Sequence, residues 1–348
     1  MMKLYDYRKR LLNNPKLVYL FLELTDKCTL QCLHCGTECR NNSGKYIDTE
    51  ALIKTLKEIS EDFIPGNIMV CFTGGEPLLY PDFFKIVNIV NDLGFPWGMT
   101  TNGTLIDDEI AFKLKKYHLG SISVSIDGNE NSHDWFRNKK GAYKQTIEAI
   151  GSLNKAGIDV QVTTVVHKKN ILELESIYEK LLSLRVKSWR LINIEPIGRA
   201  ASEHKELLLS REELLKMMEY IRGKRFSKDV EMDIRYGCSH YLSFEYEHEV
   251  RDNYFICGAG IFVASILCNG DIFGCLDIER KKELIQGNIA NDRFYDIWIN
   301  RFKEYRRDRS ETSGKCSVCE ERFFCGGDSF HTWDFDNNEP KVCILGKE

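Results

Sequence analysis

At 348 residues, 43% hydrophobic and 29% charged, the chain is long enough for about two domains of roughly 150 residues, each with its own core. Its 48 Lys and Arg against 52 Asp and Glu leave a formal charge of −4, which argues against non-specific nucleic-acid binding, and no window approaches the ~18 apolar residues of a membrane helix. The opening MMKLYDYRKRLLNN lacks the apolar core and small-residue cleavage site of a secretory signal, so a reducing cytoplasm is the expected location.

From residue 16 to about 195, short apolar runs alternate with helix-length amphipathic stretches. Strands are predicted over 17–24, 67–72, 97–101, 121–126, 159–166 and 188–193. Helices are predicted between them, over 48–62, 82–93, 107–117, 143–156 and 172–184. In the second of these, Phe83, Ile86, Val87, Val90 and Leu93 share one stripe. Asp48 or Thr49, Asp82 and Asp107 suit N-caps, and Gly94 and Gly157 suit helix ends. The alternation predicts parallel βαβ units. Six strands are too few for a closed eight-stranded barrel, so a partial barrel or open sheet follows, with ligands at the C-terminal strand ends. After Pro196 the rhythm changes to a helix over 211–222, a hairpin of 262–268 and 272–275 around Asn269-Gly270, and a helix over 294–307.

Thirteen cysteines are too few for a disulfide scaffold and too many for an enzyme with one reactive thiol. Cys71 falls in a predicted buried strand, where packing is the expected role. Cys28, Cys32 and Cys35 follow the first strand and can converge on one metal or cluster. A fourth ligand must come from elsewhere: Cys39 or His34 in a zinc knuckle, or a non-protein group at an open, catalytic metal. At the end of the second strand, Thr73-Gly74-Gly75-Glu76-Pro77 lets backbone approach a ligand and offers a carboxylate to an ammonium group. Cys316, Cys319, Cys325 and Cys343 supply four thiolates, with a zinc ribbon as the competing structural reading. Cys257 and Cys275 flank the hairpin, with Gly270 at its turn.

Together the two N-terminal motifs resemble the radical S-adenosylmethionine (SAM) superfamily, and the C-terminal cysteines resemble its SPASM extension, over residues 17 to 343. The resemblance implies an α/β fold: a partial (β/α)6 TIM-like barrel followed by a cysteine-rich SPASM domain that carries auxiliary clusters. The implied divisions are an extension over 1–15, the core over 16–200, a bridging helical region over 201–236 and an iron–sulfur domain over 237–348. Cys28, Cys32 and Cys35 are then implied ligands of a 4Fe–4S cluster whose fourth iron takes the amino and carboxylate groups of SAM. Reductive cleavage would give a 5′-deoxyadenosyl radical that takes hydrogen from substrate. His34 is implied near the adenine, and Gly74, Gly75 and Glu76 at the methionine amino group. Thr100, Thr101, Asn102, Gly103, Ser123, Ser125 and Asp127 are implied along the SAM pocket, and Arg137 at the SAM carboxylate. Ordinary strand residues and a solvated loop charge are the competing readings of Ser123, Ser125 and Arg137.

Six of the seven SPASM cysteines are present; the seventh position is Ser329. The outer set, Cys316, Cys319, Cys325 and Cys343, is complete. An inner auxiliary cluster must rest on Cys257 and Cys275 with Cys238 or Cys268. Its last iron would be open or bound by Asp328, His331 or substrate; a smaller cluster or none are the alternatives. The segment from Glu195 to Ala200 and Gly287-Asn288-Ile289 are further SPASM-like landmarks. His331, Trp333 and Asp334 are expected near a substrate cleft, Asp277 offers a general base, and Cys39 is a radical-quenching hydrogen donor or a surface or loop thiol.

The resemblance implies maturation of a peptide or small protein by cross-linking, epimerisation or oxidation, with flavodoxin or ferredoxin as electron donor. With 27 residues before Cys28 and five after Cys343, a separate leader-recognition protein is expected. Competing readings are a small-molecule substrate (a tetrapyrrole or carbohydrate), sulfatase maturation, which Ser329 and Leu276 weaken, and a non-catalytic zinc or iron–sulfur protein.

Overall fold

The computed structural model describes residues 2–37, 39, 44–227, 231–243 and 246–346. Seven parallel strands run across one sheet in chain order: β1 (Tyr19–Glu23), β2 (Met69–Thr73), β3 (Trp97–Thr101), β4 (Ser121–Ser125), β5 (Val160–Val166), β6 (Ser188–Asn193) and β7 (Asp233–Tyr236). Helix α1 (Met2–Asn13) precedes β1; α2 (Thr49–Asp62), α3 (Phe83–Asp92), α4 (Asp108–Lys116), α5 (Glu130–Phe136), α6 (Ala142–Lys155) and α7 (Leu174–Ser183) follow between the strands. This is the partial barrel expected from the alternation of apolar runs.

Period-two alternation explains why one face packs and the other serves the site. In β2, Val70 and Phe72 are fully buried and Phe72 meets Phe83 of α3 edge-on at 5.4 Å, while Met69, Cys71 and Thr73 take the opposite face and stay half-buried. Cys71 is therefore on the half-open face and not in the packed core, a correction to the packing role expected of it. On the helices, Leu52, Ile53, Leu56 and Ile59 form the buried stripe of α2, whose first turn is capped by Asp48 accepting the Ala51 N–H at 2.7 Å. Asp82 departs from the expectation: it makes no cap bond on α3 and accepts the Thr49 hydroxyl at 2.9 Å, joining the starts of α2 and α3.

Beyond β6 come α8 (Gly198–Ser202), α9 (Arg211–Arg225), β7 and α10 (Glu247–Val250). The bridging region is thus not only helical, because β7 pairs parallel with β6 and extends the barrel sheet. The expected hairpin forms as β8 (Val263–Ile266) and β9 (Asp271–Phe273), with Gly270 at φ +86° and β10 (Gly287–Asn288) alongside β9. Its first strand pairs parallel with β1, Tyr19 opposite Val263 through Leu22 opposite Ile266. The cysteine-rich region is consequently hydrogen-bonded into the same ten-stranded sheet.

The helix expected over 294–307 is interrupted, as α11 (Phe294–Asn300) and α12 (Lys303–Arg306). Phe302 and Tyr305 are buried at the break, and Tyr305 lies against Gly260 and Gly274, where a Cβ would come within 2.4 Å and 2.3 Å of it. That close packing takes precedence over a continuous helix. At the other end, α1 returns to the C-terminal region: the Tyr5 ring meets Phe323 edge-on at 5.0 Å, and Arg8 donates to the Gly326 carbonyl at 2.8 Å. No helix among the described residues is long and apolar enough to cross a membrane.

Candidate active site and metal centres

The loop after β1 carries Cys28, Cys32 and Cys35, which pack together with Leu30 and Ala142. Three donors aim at its sulfurs: the Leu30 N–H at 3.4 Å and Asn102 Nδ2 at 3.6 Å from Cys28, and Arg137 Nη1 at 3.5 Å from Cys32. Burial pushes the Cys28 thiol up to about 12 and raises Cys32 against the pull of Arg137. Cys35 is pulled down, chiefly by hydrogen bonding from Cys39 and also by Thr37. Cys39 is buried, 2.7 Å from the Thr37 hydroxyl, and is therefore no surface thiol. Three converging thiols with donors aimed at two of them suit an iron–sulfur cluster, whose thiolates gain from such bonds.

The end of β2 presses its backbone against this loop. The Gly75 N–H donates to Thr25 O at 2.6 Å and Glu76 N–H to Lys27 O at 2.8 Å; a Cβ on Gly75 would lie 1.9 Å from Lys27 O. Only glycine permits that approach. Glu76 is fully buried and accepts Thr101 Oγ1 at 2.8 Å and the Asn102 N–H at 2.9 Å. Burial raises its carboxyl to about 7 against these bonds. Glu76 thereby fixes the turn after β3, and Asn102 Nδ2 also reaches Thr29 Oγ1 at 3.0 Å.

Arg137 is no solvated loop charge. It caps α5, is buried, and holds Asp127 Oδ2 at 2.5 Å. Asp127 is also buried. His34 stacks on Phe136 with ring centroids 4.4 Å apart, and its buried Nδ1 has no partner among the described residues. Burial first, then Arg137 and the other cations nearby, hold the imidazole well below its usual range, hence neutral. Ser123 and Thr163 hydroxyls meet at 2.7 Å and Arg190 Nε donates to Thr163 at 3.2 Å, so these side chains share the half-open face with Ser125.

A clamp went unread in the sequence. The segment from Glu195 to Ala200 grips the cysteine loop: Arg199 Nε donates to Cys32 O at 2.8 Å, Nη1 to Cys39 O at 3.1 Å, and its N–H to Cys35 O at 3.2 Å. Gly198, at φ +51°, stands where a Cβ would lie 2.3 Å from Cys35 O. The Gly-Arg pair was the available signal. Both oxygens of Glu195 are buried without a partner among the described residues.

Cys316, Cys319, Cys325 and Cys343 line one cavity, with Tyr241 and Asp328 on its wall. Four thiols around one void are the donor set of a cuboidal iron–sulfur cluster. Burial, with Asp328 adding, raises the Cys325 thiol, and Arg8 opposes. Asp328 is committed: its Oδ2 meets His240 Nδ1 at 2.7 Å and its Oδ1 accepts the Tyr241 N–H at 2.8 Å.

A third group surrounds Cys275. Its sulfur, a carboxylate oxygen of Asp277 and a ring nitrogen of His331 lie within 4.8 Å of one another. Burial raises the Cys275 thiol, and so do the charges of Asp277, Cys238 and Cys257. Cys238 keeps accessible surface, yet burial and Asp277 push its thiol up to about 11. Cys268 lies beside the Glu23–Arg280 ion pair: its backbone N–H donates to Glu23 Oε1 at 3.3 Å, and burial, then Glu23, push its thiol up to about 12. Trp333 is fully buried and Asp334 is bonded by Asn337 within its own turn, so neither lines a cleft as expected.

A family model described as the radical SAM superfamily matches residues 22–181, and one described as an iron–sulfur cluster-binding domain, SPASM, matches 257–320. An AdoMet-dependent heme synthase from Nitratidesulfovibrio vulgaris is 29% identical over 90% of this chain and 88% of its own. The antilisterial bacteriocin subtilosin biosynthesis protein AlbA of Bacillus subtilis is 28% identical over 88% of this chain and 67% of its own. Among solved structures, Streptococcus suis SuiB bound to S-adenosylmethionine aligns with a TM-score of 0.76 at 16% identity, over 98% of this chain and 80% of its own, a likeness of fold.

Proposed function

The chain belongs to the radical SAM superfamily, with a SPASM iron–sulfur domain, and on that premise we propose that it is a maturase that abstracts hydrogen from a peptide or small protein. SAM and iron–sulfur clusters are its cofactors; bound together at the first site they supply reductive cleavage of SAM and a 5′-deoxyadenosyl radical. Cys28, Cys32 and Cys35 would hold the cluster. Gly74, Gly75, Glu76 and Asn102 would shape the methionine end of the SAM pocket, Ser123 and Ser125 its floor, and His34 would face the adenine. Arg137, bonded to Cys32 and Asp127, would balance charge on the cluster and on the SAM carboxylate. Arg199 and Gly198 would keep the loop from shifting as the cluster changes charge.

The observation that carries the peptide reading is Glu195. Its two buried oxygens have no partner among the described residues, and the amide N–H groups or a cationic side chain of a peptide would supply donors. Glu195 acts electrostatically on Cys238 and Tyr236, and Arg190 also acts on Cys238. A tetrapyrrole bearing several carboxylates would meet there the carboxylates of Glu195 and Asp277, with the guanidiniums of Arg190 and Arg251 beside them. AlbA, a bacteriocin biosynthesis protein, supports the peptide reading; the heme synthase, matched over 88% of its own length, favours a tetrapyrrole as the second. A flavodoxin- or ferredoxin-type donor and a separate leader-recognition protein belong to the same proposal.

Anaerobic co-expression with each short open reading frame beside the gene, read by mass spectrometry, tests it. The expected result is a mass change in one peptide that disappears in Cys32→Ala. Unchanged peptides, together with conversion of a carboxylated iron-porphyrin to haem by the purified enzyme, would overturn it.

A further inference from the structure

Ser329 stands where the SPASM pattern has its seventh cysteine. It is fully buried, and its hydroxyl lies 3.3 Å from Thr332 Oγ1, within its own turn. The turn that Ser329 opens, Phe330–Thr332, touches both hairpin cysteines. The Phe330 N–H points at Cys257 Sγ at 3.5 Å, and His331 Nε2 lies 3.8 Å from Cys275 Sγ. His331 is 5% exposed, so its ring has little water to turn to. Asp277, the third member of the group, is exposed and sits at the rim.

We infer that His331 replaces the missing cysteine as an imidazole ligand to the inner auxiliary iron–sulfur cluster, beside Cys257 and Cys275. The shift is two residues along the chain, and the turn geometry accommodates it. The backbone N–H of Phe330 supplies a hydrogen bond to one ligand sulfur while the side chain of the next residue reaches the neighbouring one. Neutral imidazole nitrogen is an established ligand of iron in iron–sulfur centres, and it leaves such a centre one charge more positive than a thiolate would. The inner cluster is then the more readily reduced of the two auxiliary centres. This inference rests on the iron–sulfur assignment alone; it stands whether the substrate is a peptide or a small molecule.

The test uses the full chain carrying Cys28→Ala, Cys32→Ala and Cys35→Ala, which removes the SAM-binding cluster and its own nitrogen ligands. After anaerobic reconstitution and reduction, pulsed EPR is expected to show a directly bound nitrogen on one of two clusters. Iron and sulfide analysis is expected to give about eight of each per chain. Adding His331→Cys should retain that iron, abolish the nitrogen coupling and lower the midpoint potential of the inner cluster only. His331→Ala should abolish the same coupling. Iron for a single cluster, zinc at the inner site, or a nitrogen coupling that survives His331→Cys would each overturn the inference.

Discussion

Arg137 Nη1 lies 3.5 Å from Cys32 Sγ while its Nε and Nη2 both hold Asp127 Oδ2 at 2.5 Å. Asp127 Oδ1 accepts the Val165 N–H of β5 at 2.7 Å. One buried ion pair therefore ties the cysteine loop to the C-terminal ends of two barrel strands. Arg137→Gln leaves Asp127 buried without its partner, at an expected cost of about 3–5 kcal/mol in urea denaturation of the metal-free protein. Asp127→Asn in the same chain should restore most of that loss. Redox titration of the loaded single variant should give a SAM-binding cluster of lower potential, because a positive charge beside Cys32 is gone.

Gly75 and Gly198 approach the cysteine loop at its two ends, beside Lys27 and Cys35, each with a carbonyl in the way of a Cβ. Gly75→Ala and Gly198→Ala should both lose the SAM-binding cluster while the cavity of Cys316, Cys319, Cys325 and Cys343 still fills. Iron analysis checks this: each variant should lose about four iron atoms per chain relative to wild type. Full iron content in either variant would count against the close contact.

Arg8 reaches from α1 to the outer site, with Nη2 3.6 Å from Asp308 and within hydrogen-bond reach of Gly326 O. Its charge also pulls against the burial of Cys325. Arg8→Gln should lower the midpoint potential of the outer cluster and leave that of the SAM-binding cluster unchanged, as read by EPR-monitored titration.

His240 and Asp328 form a buried pair, with Nδ1 2.7 Å from Oδ2. Burial alone would push the imidazole down, but Asp328 overcomes it and holds His240 above its ordinary value. Because the folded value is raised, the protonated pair contributes stability that is complete below the unfolded value of about 6.5 and is lost as pH rises through the folded one. His240→Gln should therefore cost about 1.5–3 kcal/mol at low pH and clearly less in alkaline buffer. Paired denaturation curves of wild type and variant at pH 6 and pH 9 measure the difference; a pH-independent cost would contradict the charged pair.

What the sequence could disclose followed from how local each feature is. β3 and β6 occupy the predicted 97–101 and 188–193, since Trp97 and Met99, and Trp189 and Leu191, are large apolar residues at alternate positions. β7 escaped because Asp233-Ile-Arg-Tyr236 is a four-residue strand with charged residues at alternate positions, held by pairing with β6. The parallel pairing of β8 with β1 joins residues more than two hundred positions apart, and an Asn-Gly turn reports only the antiparallel partner. The same limit applies at the site. Cys28, Cys32, Cys35 and Glu76 are local motifs, whereas the burial of Arg137 and the grip of Arg199 on Cys32 and Cys39 depend on elements distant in sequence. His331 was one of several open candidates until the turn after Ser329 set it beside Cys275.

Radical SAM chemistry at the cysteine loop after β1 requires that loop to hold a reducible cluster and SAM together. The decisive measurement is the amount of 5′-deoxyadenosine formed from SAM by the anaerobic, reconstituted full chain under dithionite. Wild type should accumulate 5′-deoxyadenosine, and Cys32→Ala, which keeps the outer site of Cys316, Cys319, Cys325 and Cys343, should form none. A wild-type protein that carries zinc at Cys28, Cys32 and Cys35 and forms no 5′-deoxyadenosine would rule out radical SAM chemistry at this loop.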